Sequence, residues 1–401
     1  MMLWDHLDLV PMYEAWQQGR LAPSTLLNIH GGHLHAAAYA ILLLTTRVTS
    51  GQTWLDVCTS WLLLLGYAGF IYRFTRRSFD SDTPSNRTVS LLIVLLALYP
   101  GHLANLQWGW QVAVFLCLAG VAAAIFCLTR PALGWLDAAG AVAAAAVALL
   151  SFATAIALIP TALILIALRE DLTPRRRAVN ALPWIAAGLL AASWFARPPS
   201  AGTSPRVFDL AVYVLNFLGA GIARFANDLA PWAAAFALVC APWLFVRGRM
   251  QAGVSSWLGV LLFALFAALL TALGRSAAYG SDQAFVTRYV SFSSLFWIGW
   301  IGLAACACAD IKRSGAALRI AFALLAILVV ANALHLIHKA REVSARTQTI
   351  ARAVRDSYPE VDRGLLGEIY FDQPDVALQR LKALRDLGFA PFDRASGEPV
   401  R

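Results

Sequence analysis

The sequence predicts an all-α polytopic membrane protein with about ten spans, and three observations carry that expectation. Of its 401 residues, 59% are hydrophobic and 14% charged, with a mean hydropathy of +0.64, which leaves too little polar surface to cover a water-soluble core. The apolar residues gather into runs at 54–73, 87–101, 108–128, 135–150, 155–169, 179–196, 229–246, 254–273, 289–309 and 318–337, near the length a helix needs to cross a bilayer. The basic residues cluster after alternate runs, as they do in cytoplasmic loops.

Fourteen basic residues fall on one side: Arg73, Arg76, Arg77, Arg87, Arg130, Arg169, Arg175, Arg176, Arg177, Arg247, Arg249, Lys312, Arg313 and Arg319. Five fall on the other: Arg197, Arg206, Arg224, Arg275 and Arg288. The positive-inside rule puts the first set in the cytoplasm and both chain ends outside it, which an even number of spans requires. This distribution, short clusters between apolar runs, also excludes the nucleic-acid binding that the net charge of +9 taken alone suggests.

Residues 1–53 form the first extracytoplasmic loop. Within it, 34–49 is apolar enough to cross, but crossing would invert every later loop and expose Arg76 and Arg77 outside. It is therefore expected as a helix lying along the outer membrane surface. Residues 1–33 lie outside with no signal peptide or earlier span to carry them. Either the first span pulls this short segment across, or the start lies upstream with a further helix, and the second is the expectation here. Residues 54–337 form the membrane domain, in which several runs are nearer 15 residues than 20 and must extend into polar neighbours. The alanine-rich stretch 138–148 suits close helix packing, and 207–225 is amphipathic and expected as a second surface helix. The six cysteines all fall in apolar segments and read as small buried side chains. After residue 337 the composition turns to mixed charge, with helical patterning near 342–356 and 374–387. Residues 338–401 are expected as a small α-rich extracytoplasmic tail, either a lid or a stabilising element.

The acids available on the proposed outer face, leaving the tail aside, are Asp5, Asp8, Glu14, Asp56, Asp209, Asp228 and Asp282. Asp5 and Asp8 stand one helical turn apart; such a pair can share a metal, or raise one pKa so that it acts as a base, or simply be solvated. Next, Asn28-Ile-His-Gly-Gly-His-Leu-His35 sets three histidines around a Gly-Gly turn. His30 and His33 can bind a metal or hydrogen-bond a phosphate, or pack at the membrane interface, and the spacing matches no zinc signature. In the stretch 101–111, Trp108 and Trp110 suit interfacial anchoring, while Asn105, Gln107 and Gln111 beside them suit sugar binding. Finally, Arg275 and Arg288 sit at opposite ends of one outer loop, with Tyr289 following. Their planar forks suit a phosphate or pyrophosphate; snorkelling to headgroups is the alternative.

An acidic pair, a His-rich turn, a surface helix and then a span ending in arginines resembles the first outer loop of the membrane glycosyltransferases of the C superfamily (GT-C fold), which includes protein O-mannosyltransferases and lipid A aminoarabinose transferases. The chain also resembles a group of bacterial polytopic proteins related to that superfamily, with stretches of the form DxxD, HNEHR, ENWLWGFQ and ALGR…SRY. The corresponding residues here are Asp5-His-Leu-Asp8, His30-Gly-Gly-His-Leu34, Ala104-Asn-Leu-Gln-Trp-Gly-Trp-Gln111, and Ala272-Leu-Gly-Arg275 with Thr287-Arg-Tyr289. The tail stretch EIYFDQPDVALQRLKALRDLGF is similar to that group's ending. The departures are Gly31, Gly32 and Leu34, where the group often has Asn, Glu and Arg, and Ala104, where it has Glu.

The resemblance implies a GT-C-like bundle in the inner (cytoplasmic) membrane, taking a polyprenyl-phosphate-linked sugar as donor, with its site facing the periplasm. It assigns Asp5 or Asp8 as base or as holder of a divalent cation, and Arg275 and Arg288 to the lipid phosphate. His30, His33, Asn105, Trp108, Gln111 and Tyr289 would then line the substrate. Two rivals remain: a transporter or flippase for lipid-linked sugars, and a non-catalytic partner in cell-envelope glycan assembly, for which Gly32 and Ala104 are the best support.

Overall fold

The computed structural model describes residues 2–79, 84–195, 206–308 and 315–392. It is almost wholly helical, as the patterning requires. The amino-terminal segment holds α1 (Leu9–Gln17), a two-residue hairpin of β1 (Ile29–His30) and β2 (His33–Leu34), and α2 (Ala36–Val48). The membrane domain follows with α3 (Trp54–Ser78), α4 (Pro84–Ala97), the one-turn α5 (Leu103–Leu106), α6 (Val112–Leu128), α7 (Trp135–Leu149) and α8 (Leu158–Ala167). It continues with α9 (Pro174–Phe195), α10 (Val207–Ala223), α11 (Ala230–Gly248), α12 (Val254–Tyr279), α13 (Val290–Cys308) and α14 (Gly315–Ser357), and the tail adds α15 (Arg363–Ile369) and α16 (Pro374–Asp386).

Among the described residues, seven helices are long and apolar enough to cross a membrane: Trp54–Ser78, Asn86–Leu106, Gly109–Leu128, Ala230–Gly248, Val254–Tyr279, Thr287–Cys308 and Phe322–Ser357. The chain is thus a multi-pass membrane protein. The predicted runs at 135–150 and 155–169 form the shorter apolar helices Trp135–Leu149 and Ala153–Ala167. At 15 residues, α7 rises only about 22 Å, short of a hydrocarbon core of about 30 Å. The lipid-facing character of the bundle is visible on its outside. Leu62, Leu189, Phe236, Val239, Ile327 and Leu334 are all exposed, and a protein surrounded by water would hide such a band.

Contacts sort the loops to two ends of the bundle. At one end, Arg77 donates to the Phe126 carbonyl, Arg169 donates to the carbonyls of Leu128, Arg130 and Pro131, and the Trp257 indole donates to Ser78. This end collects the basic loops. At the other, His35 meets the Ser151 carbonyl, Tyr99 donates to the Gly221 carbonyl, and Asn332 donates to the same carbonyl. The short helices α7 and α8 therefore still run between the two ends, since 149 leads to Ser151 and 167 to Arg169.

α2 keeps both of its ends at the second end: His35 lies on Ser151, while Thr45 donates to Asp56 in the first turn of α3. α10 also stays at that end, because Tyr213, Asn216 and Arg224 each bond to the loop 281–285. It is not a surface helix, however. Tyr213, Phe217, Leu218 and Ile222 are buried between α11, α12 and α13, and the expected amphipathic stripe faces protein on its broad side. The exposed Val207 and Phe208 mark the end left open.

The tail is not free-standing. α14 is 43 residues long, about 65 Å, so it leaves the bundle and carries α15 and α16 above the second end. There Leu381 and Leu384 are buried, and Phe389 packs on Tyr13 with ring centroids 4.9 Å apart. Gly51 has φ +80°, and a Cβ there would meet Phe389 at 2.8 Å; glycine is needed for both backbone and space. All six cysteines are free thiols, and Cys58 is exposed rather than buried, on the apolar outside of α3. The alanine run of α7 packs closely on one face only: Gly120 of α6 lies beneath Ala144 and Ala148, with room for no Cβ.

Candidate functional site

The amino-terminal segment builds the site from a tight local fold. A 3₁₀ turn, Trp4–Asp8, runs into α1 and so sets Asp5 and Asp8 on one side. Trp4, its first residue, has φ +54°, a left-handed conformation that a bulky residue adopts only when held there. Its indole donates to the Glu368 carbonyl at 3.1 Å, and its ring meets Trp108 edge-on at 5.4 Å. The hairpin supplies the histidines. Pairing of Ile29 with Leu34 and His30 with His33 leaves Gly31 and Gly32 as the two-residue turn, with φ of +56° and +84°. A type I′ turn demands positive φ at both positions. These glycines are therefore what the turn geometry calls for at the positions where the resembling group carries Asn and Glu.

His30 reaches Asp5 Oδ1 at 2.9 Å and Asp8 Oδ2 at 3.7 Å. The Tyr370 hydroxyl donates to Asp8 Oδ1 at 2.6 Å. Asp8 Oδ2 is buried and has no hydrogen-bond partner. Burial pushes the Asp8 carboxyl up from its ordinary value, and the Tyr370 hydrogen bond and the nearby His30 pull part of that back. The Asp5 hydrogen bond raises His30 against the opposing effect of burial. Burial pushes Tyr370 up to about 12, and the carboxylate beside it adds to that. One donor atom from each of Asp5, Asp8 and His30 lies within 4.8 Å of the others, a mixed oxygen and imidazole set that suits a divalent cation.

On the far side of the hairpin lie the arginines. Arg275 donates to the Gly31 carbonyl at 3.3 Å and lies over Tyr279 at 5.6 Å. Arg288 lies over Tyr289 at 5.6 Å. Neither makes an ion pair with a carboxylate among the described residues. His33 stacks on Phe152 with centroids 3.9 Å apart, and its Nδ1 is buried without a partner. Burial drives its pKa well down, and the charges of His35, Arg275 and Arg288 add to that. His33 is thus a neutral imidazole facing two cations. Burial likewise holds His6 at about 3 and His35 at about 4.

The other predicted residues play supporting parts in this geometry. Asn105 is buried and donates to both the Arg288 carbonyl and the Ser291 hydroxyl, so it positions the arginine rather than opening onto a pocket. Gln111 is buried at the start of α6. Trp108 holds Trp4, and its indole nitrogen is buried without a partner. Tyr289 is buried under Gln283, whose amide donates to its hydroxyl at 3.3 Å. Asp56 lies among buried groups beneath the site, with His6 at 3.4 Å.

Sequence reasoning did not single out Tyr370 or Trp4. Tyr370 lies in the tail stretch noted above for its similarity, but 362 residues separate it from Asp8, and no local spacing links them. The structure brings Asp5 and Asp8 to His30 and Arg275 to the hairpin turn at Gly31; Asn105 and Gln111 are buried and line no open surface. Comparison with known proteins gives no match: no family model, no curated protein and no solved structure is similar to this chain.

Proposed function

We propose that this chain is a membrane glycosyltransferase that moves a sugar from a polyprenyl-phosphate donor to an acceptor hydroxyl. The reading has it built as a ten-span, GT-C-like bundle in the inner (cytoplasmic) membrane, with the site at the extracytoplasmic face. The observation that carries it is the hairpin between two opposite chemistries. Acidic Asp5 and Asp8 stand at its His30 flank, and Arg275 bonds the Gly31 carbonyl on the other, with Arg288 near enough to His33 for its charge to be felt there. Glycosyl transfer from a lipid phosphate needs both, on either side of the anomeric carbon.

In this reading Asp8 Oδ2 accepts the acceptor's hydroxyl proton, since it has no other partner and its raised pKa makes it a better base than an exposed aspartate. The acceptor oxygen then bonds to the anomeric carbon as the bond from that carbon to the phosphate oxygen breaks. The electron pair leaves with the phosphate, and its added negative charge is held by the arginines. His30 and Tyr370 keep Asp8 oriented. A divalent cation on Asp5, Asp8 and His30 is a second way to use the same cluster, favoured by the close approach of their donor atoms; it would polarise the acceptor hydroxyl.

The test compares surface glycans and lipid-linked sugars in a host lacking the protein, complemented with wild type, Asp5→Asn/Asp8→Asn or Asp8→Asn at equal membrane levels. Restoration by wild type alone, with donor accumulating otherwise, supports the reading. Loss of a base costs roughly 10²–10⁴ in rate, so full restoration by Asp8→Asn removes the base role of Asp8.

A further inference from the structure

A groove of about 430 Å³ opens on the outside of the bundle between α7 and α9, near the basic end and far from the site described above. Its causes are local. One wall is the alanine face of α7, Ala139, Val142, Ala143 and Ala146, which supplies little side-chain volume. The other is α9 around Val179 and Pro183. Pro183 lies inside that helix, where it removes the N–H that would bond the Val179 carbonyl. Along α7 the lining runs from Ala138 to Ala146, about 12 Å at helical rise, close to the depth of one leaflet of a core about 30 Å thick.

The groove's own lining is uncharged, and the nearest cations along α9 lie just before it. Arg175, Arg176 and Arg177 occupy the first turn of α9, one turn before Val179 and Asn180. A helix amino terminus is already an anion-attracting position; carboxylates suit a first turn, and arginines there add like charge to it. None of the three makes an ion pair with a carboxylate among the described residues, although Asp171 is near enough to Arg176 to feel its charge, and Arg177 Nε is buried with no hydrogen bond. Arg176 reaches across to the Leu133 carbonyl at 3.4 Å.

We propose that this groove holds one acyl chain of an anionic glycerophospholipid from the surrounding leaflet, with its phosphate headgroup on Arg175, Arg177 and the α9 amino terminus. The apolar wall matches the chain and the unpaired charge matches the headgroup, the combination by which basic pockets between membrane helices hold anionic lipids. A zwitterionic lipid fits the wall equally well, but its choline cation offsets the phosphate charge that the arginines attract.

Purified protein in mild detergent is titrated with phosphatidylglycerol and with phosphatidylcholine of identical chains, and bound lipid is counted by native mass spectrometry. Wild type is expected to prefer phosphatidylglycerol about tenfold. Arg175→Gln/Arg177→Gln should bring that preference to near parity. Ala143→Trp should reduce the uptake of both lipids, and Ala139→Leu, a smaller filling, replaces it if the tryptophan variant is not monodisperse. Equal binding by wild type, or a preference that survives the arginine variant, overturns the proposal. So does a groove filling that leaves both lipids bound as before, because the site would then be the basic loop alone.

Discussion

Asp8 holds its two carboxylate oxygens in different surroundings. Oδ1 accepts the Tyr370 hydroxyl, while Oδ2 is buried and unpartnered. The hydrogen bond favours the ionised form, and burial opposes it. Removing the hydroxyl in Tyr370→Phe takes away the largest effect opposing burial, so the Asp8 pKa rises further. If Asp8 is the base, the acid limb of the activity profile moves to higher pH, with activity recovering at alkaline pH; a merely structural Tyr370 would lower activity at every pH alike. His30 gives a second pH signature. Its pKa is raised by Asp5, so its contribution is complete below the ordinary imidazole range, near 6.5, and is lost as pH rises through the raised value. Protection of the hairpin amides, taken relative to the intrinsic exchange rate at each pH, should therefore fall from about pH 6.5 upward, and protection that is flat in pH rejects the stabilising role of the His30–Asp5 contact. A divalent ion behaves oppositely, because it needs His30 and Asp8 deprotonated: Mn²⁺ binding to the purified protein should strengthen over the same rise and vanish in Asp5→Asn/Asp8→Asn.

At the scale of elements, the hairpin and α10 show how far patterning reaches. The Gly-Gly turn was readable because only glycine adopts positive φ freely at both positions. The place of α10 was not, since an amphipathic stripe faces lipid headgroups or neighbouring helices with the same residues. What separates the two is close packing. A Cβ at Gly219 would sit 2.0 Å from the Ala230 carbonyl oxygen, while one at Gly274 meets nothing within 4 Å. Gly219→Ala should therefore destabilise by about 1–3 kcal/mol through the α10–α11 contact. Gly274→Ala should be neutral or stabilise by up to about 1 kcal/mol through helix propensity. Thermal unfolding of the two variants in one detergent checks both, and equal effects would show that α10 packs loosely.

On the scale of the whole molecule, the bundle has a basic end and a site end, and the tail covers the second. The proposed orientation follows from that polarity. In a cysteine-free background, an impermeant maleimide should label Gln373→Cys in intact cells and Glu170→Cys only after permeabilisation. The reverse pattern would place the site in the cytoplasm and remove a polyprenyl-phosphate donor on the outer leaflet. Since the tail holds Trp4 through the Glu368 carbonyl and Asp8 through Tyr370, truncation after residue 338 should leave the membrane domain inserted yet abolish function. Limited proteolysis would then cut within residues 1–33.

The sequence by itself determined the class, a multi-pass helical membrane protein, as well as the clustering of basic loops and the Gly-Gly turn. Hydrophobic length, charge placement and positive-φ glycines are properties of short stretches, so they are legible without any contact. It also marked Asp5 and Asp8 by their one-turn spacing, His30 by its place beside the Gly-Gly turn, and Arg275 and Arg288 because cations next to apolar spans are costly unless they have a use. Only the tertiary structure decided which of these meet. It put His30 between the acids, turned Asn105 toward the Arg288 backbone, brought Tyr370 onto Asp8 and buried α10 among spans. Those outcomes depend on packing between residues far apart in the chain, where many arrangements satisfy the same hydropathy pattern and few satisfy the buried hydrogen bonds.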